Sequence, residues 1–285
     1  MRVGFITQLL WPRYGPYWRE LVRGVGAETV FPSRERVLHC FGDARVKAIP
    51  GLVFRLAAAQ ALALQEVDVL IAPDLSAGVD IARGGGRDPW IASFPEALTH
   101  TVSGLPPVFA VPASLGGRLE TVVIETLYSI CRDPFLVRRV WDRYRSAAYP
   151  SSRSREVRVM PGAAAVTIGV LGQPWLLDRR LFSPLLQEGE AVLGQDEFAP
   201  EILQDEGDRV NSKLLPTDRE VLGAASIFSR RGGIARISVI AERGSATDAW
   251  LCRRIEGLVH KPLSLHYLED LLEPEEAVSI LLALP

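Results

Sequence analysis

Apolar residues in this chain fall into short unbroken runs separated by stretches of helical period. Arg2 to Thr7 is such a run and ends at polar Gln8; a Pro/Gly-rich turn follows, then Tyr17, Leu21 and Val22 at helical spacing before Gly24 and Gly26. The pattern predicts strand, loop and helix, with a further strand at Glu28 to Phe31. Val37 to Phe41 reads as another β-type run, Gly51 to Gln65 as an Ala/Leu-rich helix, and Val67 to Ala72 as a buried strand. Pro107 to Val111 is a strand, and Gly117 to Ser146 a helical stretch that must break at Pro134. Later come a strand at Ala165 to Leu171, helices at Leu181 to Leu193 and Asp218 to Arg230, and a strand at Ile234 to Ala241. A helix at Ala249 to Val259, a strand at Leu263 to Tyr267 and a helix at Pro274 to Leu284 complete the series. Strands apolar throughout, alternating with helices, indicate parallel sheets covered on both faces.

Tyr149 to Arg158, YPSSRSREVR, is nearly devoid of apolar residues and has the composition of a linker. The expected organisation is α/β in two Rossmann-like (flavodoxin-like) parallel-sheet domains, residues 1–150 and 151–285, facing a cleft. VGFITQ at Val3 to Gln8 and IGVLGQ at Ile168 to Gln173 each lead into a Pro/Trp loop and a helix, which is either a duplication or the common look of two βα units. Open parallel sheets bind ligands beyond the carboxyl ends of their strands, so Gln8 and Gln173 become candidate cleft residues.

The composition, 48% hydrophobic and 23% charged over 285 residues, is that of a folded chain. A net charge of -2 gives no general drive toward nucleic acid or anionic lipid, and a nucleic-acid role is not expected. Gly51 to Val67, the richest apolar stretch, is interrupted by Arg55, Gln60, Gln65 and Glu66, so no membrane span is expected. The N-terminus reads as a strand and not a signal peptide, and the expected location is cytoplasmic. Cys40, Cys131 and Cys252, an odd number without a CxxC, are expected to be reduced, buried thiols.

The opening MRVGFITQLLWPRYGPYWRELVRGVGAETVF, the later VKAIPG and VDVLIAPD, and above all IGVLGQPWLLD and HKPLSLHYLED carry a resemblance that runs nearly end to end. The chain resembles the 2-hydroxyacyl-CoA dehydratase D-component family and its activase-related relatives. IGVLGQPWLLD is similar to the family's IGxxGxPYxxxD, and KPLSLHYLED to its KPxLxLxxDE. The resemblance implies two Rossmann-like domains around a cleft and, in the dehydratases, a 4Fe–4S cluster held by three cysteines. It also implies an acyl-CoA or other anionic ligand, and a homologous dehydratase-like or activase subunit as partner. The cluster positions differ here: CLPVK corresponds to DARVK with Asp43, CPxxxxLP to DPWIASFP with Asp88, and CGPD to RGSATD with Arg243. Arginine cannot ligate iron, so no cluster and no other cofactor is expected.

Asp43 and Asp88, with Asp248, could hold a hard cation; the preferred alternative is a carboxylate–guanidinium lock with Arg243, and no metal. Arg83 and Arg87 flank a triple glycine able to receive an anion, although a surface loop accounts for the same run, and no GK[ST] follows. Ser245 and Thr247 are candidate caps of the helix at Ala249, where an anion would also be favoured. Trp11, Tyr14, Tyr17 and Trp18, with Trp90 and Trp175, either line an acyl pocket or pack internally. Among four dispersed histidines, His266 near Glu269 and Asp270 is the best acid/base candidate. Catalytic residues are not identified. The expectation is a ligand-binding or accessory subunit without radical chemistry; the rival is an enzyme using carboxylates or a divalent metal on an anionic substrate.

Overall fold

The computed structural model describes residues 1–76, 88–115, 119–148, 166–182, 185–186, 189–282 and 284. They divide into two compact units, one built from the residues up to 76, from 89 to 148 and 284, the other from Asp88 and residues 166 to 282. Tyr149 to Arg158, the expected linker, lies outside the described residues. No helix among the described residues is long and apolar enough to cross a membrane.

The first unit runs β1 (Arg2–Phe5), α1 (Trp11–Gly24), β2 (Glu28–Val30), α2 (Arg34–Phe41), α3 (Ala44–Lys47), α4 (Leu52–Ala63), β3 (Val69–Asp74), α5 (Pro89–Ala92), α6 (Phe94–Thr101), β4 (Val108–Pro112), α7 (Leu119–Cys131) and α8 (Pro134–Tyr144). Its strands form a four-stranded parallel sheet in the order β2-β1-β3-β4, with Val3 opposite both Thr29 and Val69. The central strands are the apolar runs of the sequence, and β3 is buried from Val69 to Pro73. Helix α1 turns Tyr14, Trp18, Leu21 and Val22 into the core at three- and four-residue spacing. The predicted break at Pro134 is the boundary between α7 and α8, with Asp133 accepting hydrogen bonds from the Phe135 and Leu136 N–H groups.

The second unit runs β5 (Val166–Gly172), α9 (Arg179–Phe182), β6 (Glu190–Gly194), α10 (Pro200–Asn211), α11 (Pro216–Arg230), β7 (Ile234–Ala241), α12 (Ala246–Leu258), β8 (Leu263–Tyr267), α13 (Leu268–Leu271) and α14 (Pro274–Leu281). Its sheet is also parallel and four-stranded, in the order β6-β5-β7-β8, so β5 occupies the place that β1 has in the first. The core gathers Leu171, Leu222, Phe228, Ile237 and Ile255. Gly169 leaves the room that the Phe228 ring fills, since a Cβ there would lie 2.6 Å from the ring.

Two predicted elements differ. Val37 to Phe41 is the end of helix α2, because Ser33 caps that helix by accepting from the Arg36 N–H and only Val37 is buried. A local cap outweighs the β preference of a short apolar run. Leu181 to Leu193 is not one helix: α9 ends at Phe182, Gly189 takes a positive φ of 84°, and Glu190 to Gly194 pairs with β5. A strand without a partner on that side would leave a row of backbone groups unpaired, and this pairing overrides the helical spacing. Helix α10 has no counterpart in the sequence reading.

Helices α10 and α11 meet backbone to backbone through two glycines. A Cβ on Gly223 would run into the Leu203 carbonyl, and one on Gly207 into the Arg219 carbonyl. Gly223→Ala is expected to lower unfolding stability by about 1–3 kcal/mol. Gly257→Ala, on α12 with nothing within 4 Å of the new methyl, is expected to raise it by up to ~1 kcal/mol through helix propensity. Urea unfolding of the two variants tests the contrast.

Candidate functional site

In each unit the chain leaves the central strand to one side of the sheet and later returns on the other, so a crevice forms at the carboxyl end of that strand. In the first unit this is the end of β1. Buried Gln60, on α4, turns its Oε1 to the strand end and accepts from the Thr7 N–H at 2.7 Å, the Thr7 hydroxyl at 3.2 Å and the Gln8 N–H at 3.2 Å. Gln8 is itself buried. Directly after it, Leu9 and Leu10 have φ of 57° and 69°, the left-handed region that side chains avoid. At the end of β3, Asp74 accepts from both the N–H and the hydroxyl of Ser76.

The second unit repeats the device with different residues. The Gly172 N–H, at the end of β5, donates to Gln195 Oε1 at 3.4 Å, and Gln173 Nε2 donates to Asp218 Oδ1 at 2.9 Å. At the end of β7, the Glu242 N–H donates to Asp248 Oδ2 at 2.8 Å, while the Asp248 N–H donates to the Ser245 hydroxyl at 3.1 Å. Gln173, Gln195, Asp218, Glu242, Ser245 and Asp248 are all buried. Burial, reinforced by the negative charges of Glu242 and Asp218, pushes the Asp248 carboxyl up to about 8. A carboxylic acid whose pKa is raised in this way can act as a proton donor.

Ser245 is the cap of α12, as expected, but the helix begins at Ala246, so the half-exposed Thr247 lies within its first turn and is no cap. The expected anion site at this helix start sits beside Asp248, and its Asp248 N–H already has an oxygen partner in Ser245. Arg83 and Arg87 lie outside the described residues, and Asp88 is a half-buried residue just before α5.

Arg45, not Arg243, closes on Asp43. The guanidinium grips both carboxylate oxygens, Nε to Oδ1 at 2.9 Å and Nη2 to Oδ2 at 2.8 Å, and Asp43 Oδ1 also caps α3 through the Arg45 N–H. This bidentate pair holds the Asp43 carboxyl down at about 2. Arg243 finds its partners on the neighbouring strand connection: Nη2 reaches Asp270 at 2.5 Å, its N–H donates to Glu269, and the guanidinium lies 4.4 Å from the Tyr267 ring centre. Asp43 and Arg243, in different units, thus each have a local partner, because residues two apart or on adjoining elements meet without closing a long loop. A shallow depression of about 400 Å³ beside Asp43 is lined by His39, Cys40 and Arg45.

Of the aromatic candidates, Trp11, Tyr14, Tyr17, Trp18 and Trp90 belong to the core, whereas Trp175 is half-buried. Trp11 meets Phe5, Tyr14 and Phe31 edge-to-face, and Trp90 meets Phe54 and Phe94. The Tyr14 hydroxyl donates to the Ile6 carbonyl. The His266 imidazole is pushed below its usual range by burial and by Arg236, so it is neutral at pH 7; Glu269 is bound to the Arg243 N–H and Asp270 to its guanidinium. Cys252 is buried, with its thiol raised to about 11, whereas Cys40 and Cys131 are half-buried rather than fully enclosed. Among the described residues, no group of three or more His, Cys, Asp or Glu side chains is arranged to hold a metal ion. Gln60 and Gln195 were absent from the sequence candidates; the one signal was a polar amide interrupting an Ala/Leu helix at Gln60.

Gln60→Leu strips three donors of their acceptor and is expected to lower stability by about 2–3 kcal/mol, read from the urea midpoint. For Asp248 the folded state keeps its proton up to pH about 8 while the unfolded chain releases it near its ordinary value, so the folded state binds the extra proton between them. This contribution is fully present at acid pH and is lost as pH rises toward 8. Asp248→Asn should therefore gain stability relative to the unaltered protein between pH 5 and pH 9, measured by unfolding at both values.

No family model matches the chain, and no curated protein matches it. Among solved structures, a GTP-binding protein from the hyperthermophilic archaeon Sulfolobus solfataricus, in complex with GDP, aligns over 99% of both chains at 10% identity. Its TM-score of 0.23 is too low for the likeness to bear on fold or ligand.

Proposed function

We propose that this chain is a cytoplasmic, Rossmann-like protein of the 2-hydroxyacyl-CoA dehydratase type, without an iron–sulfur site, that serves as a ligand-binding or partner subunit. The observation that supports this reading is the engagement of Asp43, which stands where the family motif has a cysteine: both its oxygens are held by Arg45. Arg243, at a second such position, is held by Asp270 and stacked on Tyr267. Together with Asp88, these residues do not fit a 4Fe–4S cluster, which needs thiolates and cannot use a guanidinium. Cys40 is one thiol near Asp43, and Cys131 and Cys252 sit on other helices, α7 and α12. No radical dehydration step is assigned to the chain.

The ligand in this reading is an acyl thioester or another anion. The first unit suits it better than the second, since basic residues outnumber acidic ones there and the reverse holds in the second. Gln8 at the end of β1 would contact the ligand, and a homologous dehydratase-like or activase subunit would be the protein partner. A second reading, an enzyme acting on the bound anion, has one observation in its favour: Asp248 holds its proton to about pH 8 at a sheet edge, as a general acid requires.

Protein purified without oxygen should contain neither iron nor acid-labile sulfide in stoichiometric amount, and calorimetric titration with acyl-CoAs should give saturable binding without turnover. Iron and sulfide near stoichiometry would refute the cluster-free reading. Turnover of the bound thioester would replace the accessory role with the enzymatic one.

A further inference from the structure

We propose that Asp248, Gln173 and Asp218 form a proton-dependent latch across the end of β5: the Asp248 carboxyl, as the acid, donates to Gln173 Oε1 while Gln173 Nε2 donates to Asp218, tying the start of α12 to the start of α11. The second half of this chain is in place. Gln173 Nε2 donates to Asp218 Oδ1 at 2.9 Å, which fixes the amide, because turning it over would set its oxygen against a carboxylate oxygen. Oε1 is then left over: it is buried, in a residue only 2% exposed, and has no hydrogen-bond partner among the described residues. An amide oxygen only accepts, so its partner must be a donor.

The geometry selects Asp248 as that donor. Gln173 and Asp248 line one cavity of about 10 Å³, and they are the only lining side chains that carry oxygen; Val221, Val239, Leu251 and Ile255 make the wall apolar. The space is at the lower limit for one water, which would find fewer than its usual three partners there. An ionised Asp248 would set carboxylate and amide oxygens around the same enclosed space with no free N–H or O–H from a lining side chain, and a protonated one supplies the missing donor. Asp248 Oδ2 accepts from the Glu242 N–H, so Oδ1 is the oxygen that carries the proton. The charges acting on Asp248 are those of Glu242, after β7, and Asp218, on α11, both negative. Cys252, one turn along α12, keeps a neutral thiol, and Glu256 adds negative charge beyond it. The Glu242 N–H and the Ser245 hydroxyl favour the ionised form, but burial outweighs them and pushes the carboxyl up to about 8. The latch is therefore closed at neutral and acid pH, and it opens as pH rises through about 8, releasing the carboxyl end of β5, the edge at which open parallel sheets bind ligands. It requires nothing of the thioester site proposed for the first unit.

NMR titration of the full chain, following the Asp248 Cγ and the Gln173 side-chain amide from acid to alkaline pH, tests the proposal. Both signals should move together with one midpoint near pH 8. Asp248→Asn, whose amide offers an N–H to Oε1 at every pH, should leave the Gln173 amide signal flat across the same range. Gln173→Met, which keeps the shape and removes Oε1, deprives the acid form of its acceptor and should lower the proton affinity of Asp248 by up to about tenfold. An Asp248 that titrates in the ordinary carboxylate range, a Gln173 amide that does not follow it, or an unchanged Asp248 midpoint in Gln173→Met would overturn the proposal. So would a long-lived water with NOEs to the Val221 and Leu251 methyl groups, which would put a solvent molecule in place of the direct bond. If Gln173→Met does not fold, the joint titration in the unaltered protein, its loss in Asp248→Asn and the search for the water decide.

Discussion

A central strand of a parallel sheet ends where its backbone N–H groups run out of neighbouring strand, and inside a protein those groups need another acceptor. In both units a glutamine amide supplies it. Gln60 reaches from α4 to the Thr7 and Gln8 N–H groups, and Gln195 reaches from the segment after β6 to the Gly172 N–H. The strand can then stop while still buried, and the residue that follows, Gln8 or Gln173, is delivered to the sheet edge away from bulk water. Asp248 does the same for β7 through the Glu242 N–H. The chemistry of each edge follows from which acceptor is used: a neutral amide at β1, a proton-holding carboxyl at β7.

The two edges consequently differ although their strand orders match. At β1 the amide network is followed by two leucines in left-handed conformation, Leu9 and Leu10, a local cost of order 1–3 kcal/mol each that the surrounding core sustains. At the end of β7, burial, reinforced by the charges of Glu242 and Asp218, keeps Asp248 protonated up to about pH 8.

Asp43 and Arg243 show how partly exposed charges are accommodated at the ends of elements. Asp43 is a helix cap with its own arginine two residues on, and Arg243 lies over Tyr267 with Asp270. Each charge is neutralised by a neighbour close in sequence or on the adjoining element. Both pairs are partly exposed, where the cost of removing charge from water is small and no enclosed partner is needed.

The amino-acid sequence by itself determined the strands β1 to β5, β7 and β8 and the helices α1, α4, α11, α12 and α14, because most of them are either an unbroken apolar run or a sustained helical period bounded by turn residues. It determined the break at Pro134 through the missing N–H of proline, and it pointed to Gln8, Gln173 and Ser245 as edge residues. Tertiary structure decided the rest. Residues 37–41 became helix through the Ser33 cap, and 190–194 became strand because β5 required a partner. Helix α10 is held by the glycine-to-backbone contact with α11, which no periodicity records. Gln60, Gln195 and Asp218 came to the sheet edges from positions 52, 23 and 45 residues distant from their partners, and such long-range contacts leave no local signal in the chain. The partner of Asp43, by contrast, is local: Arg45 stands two residues on, in the helix that Asp43 caps.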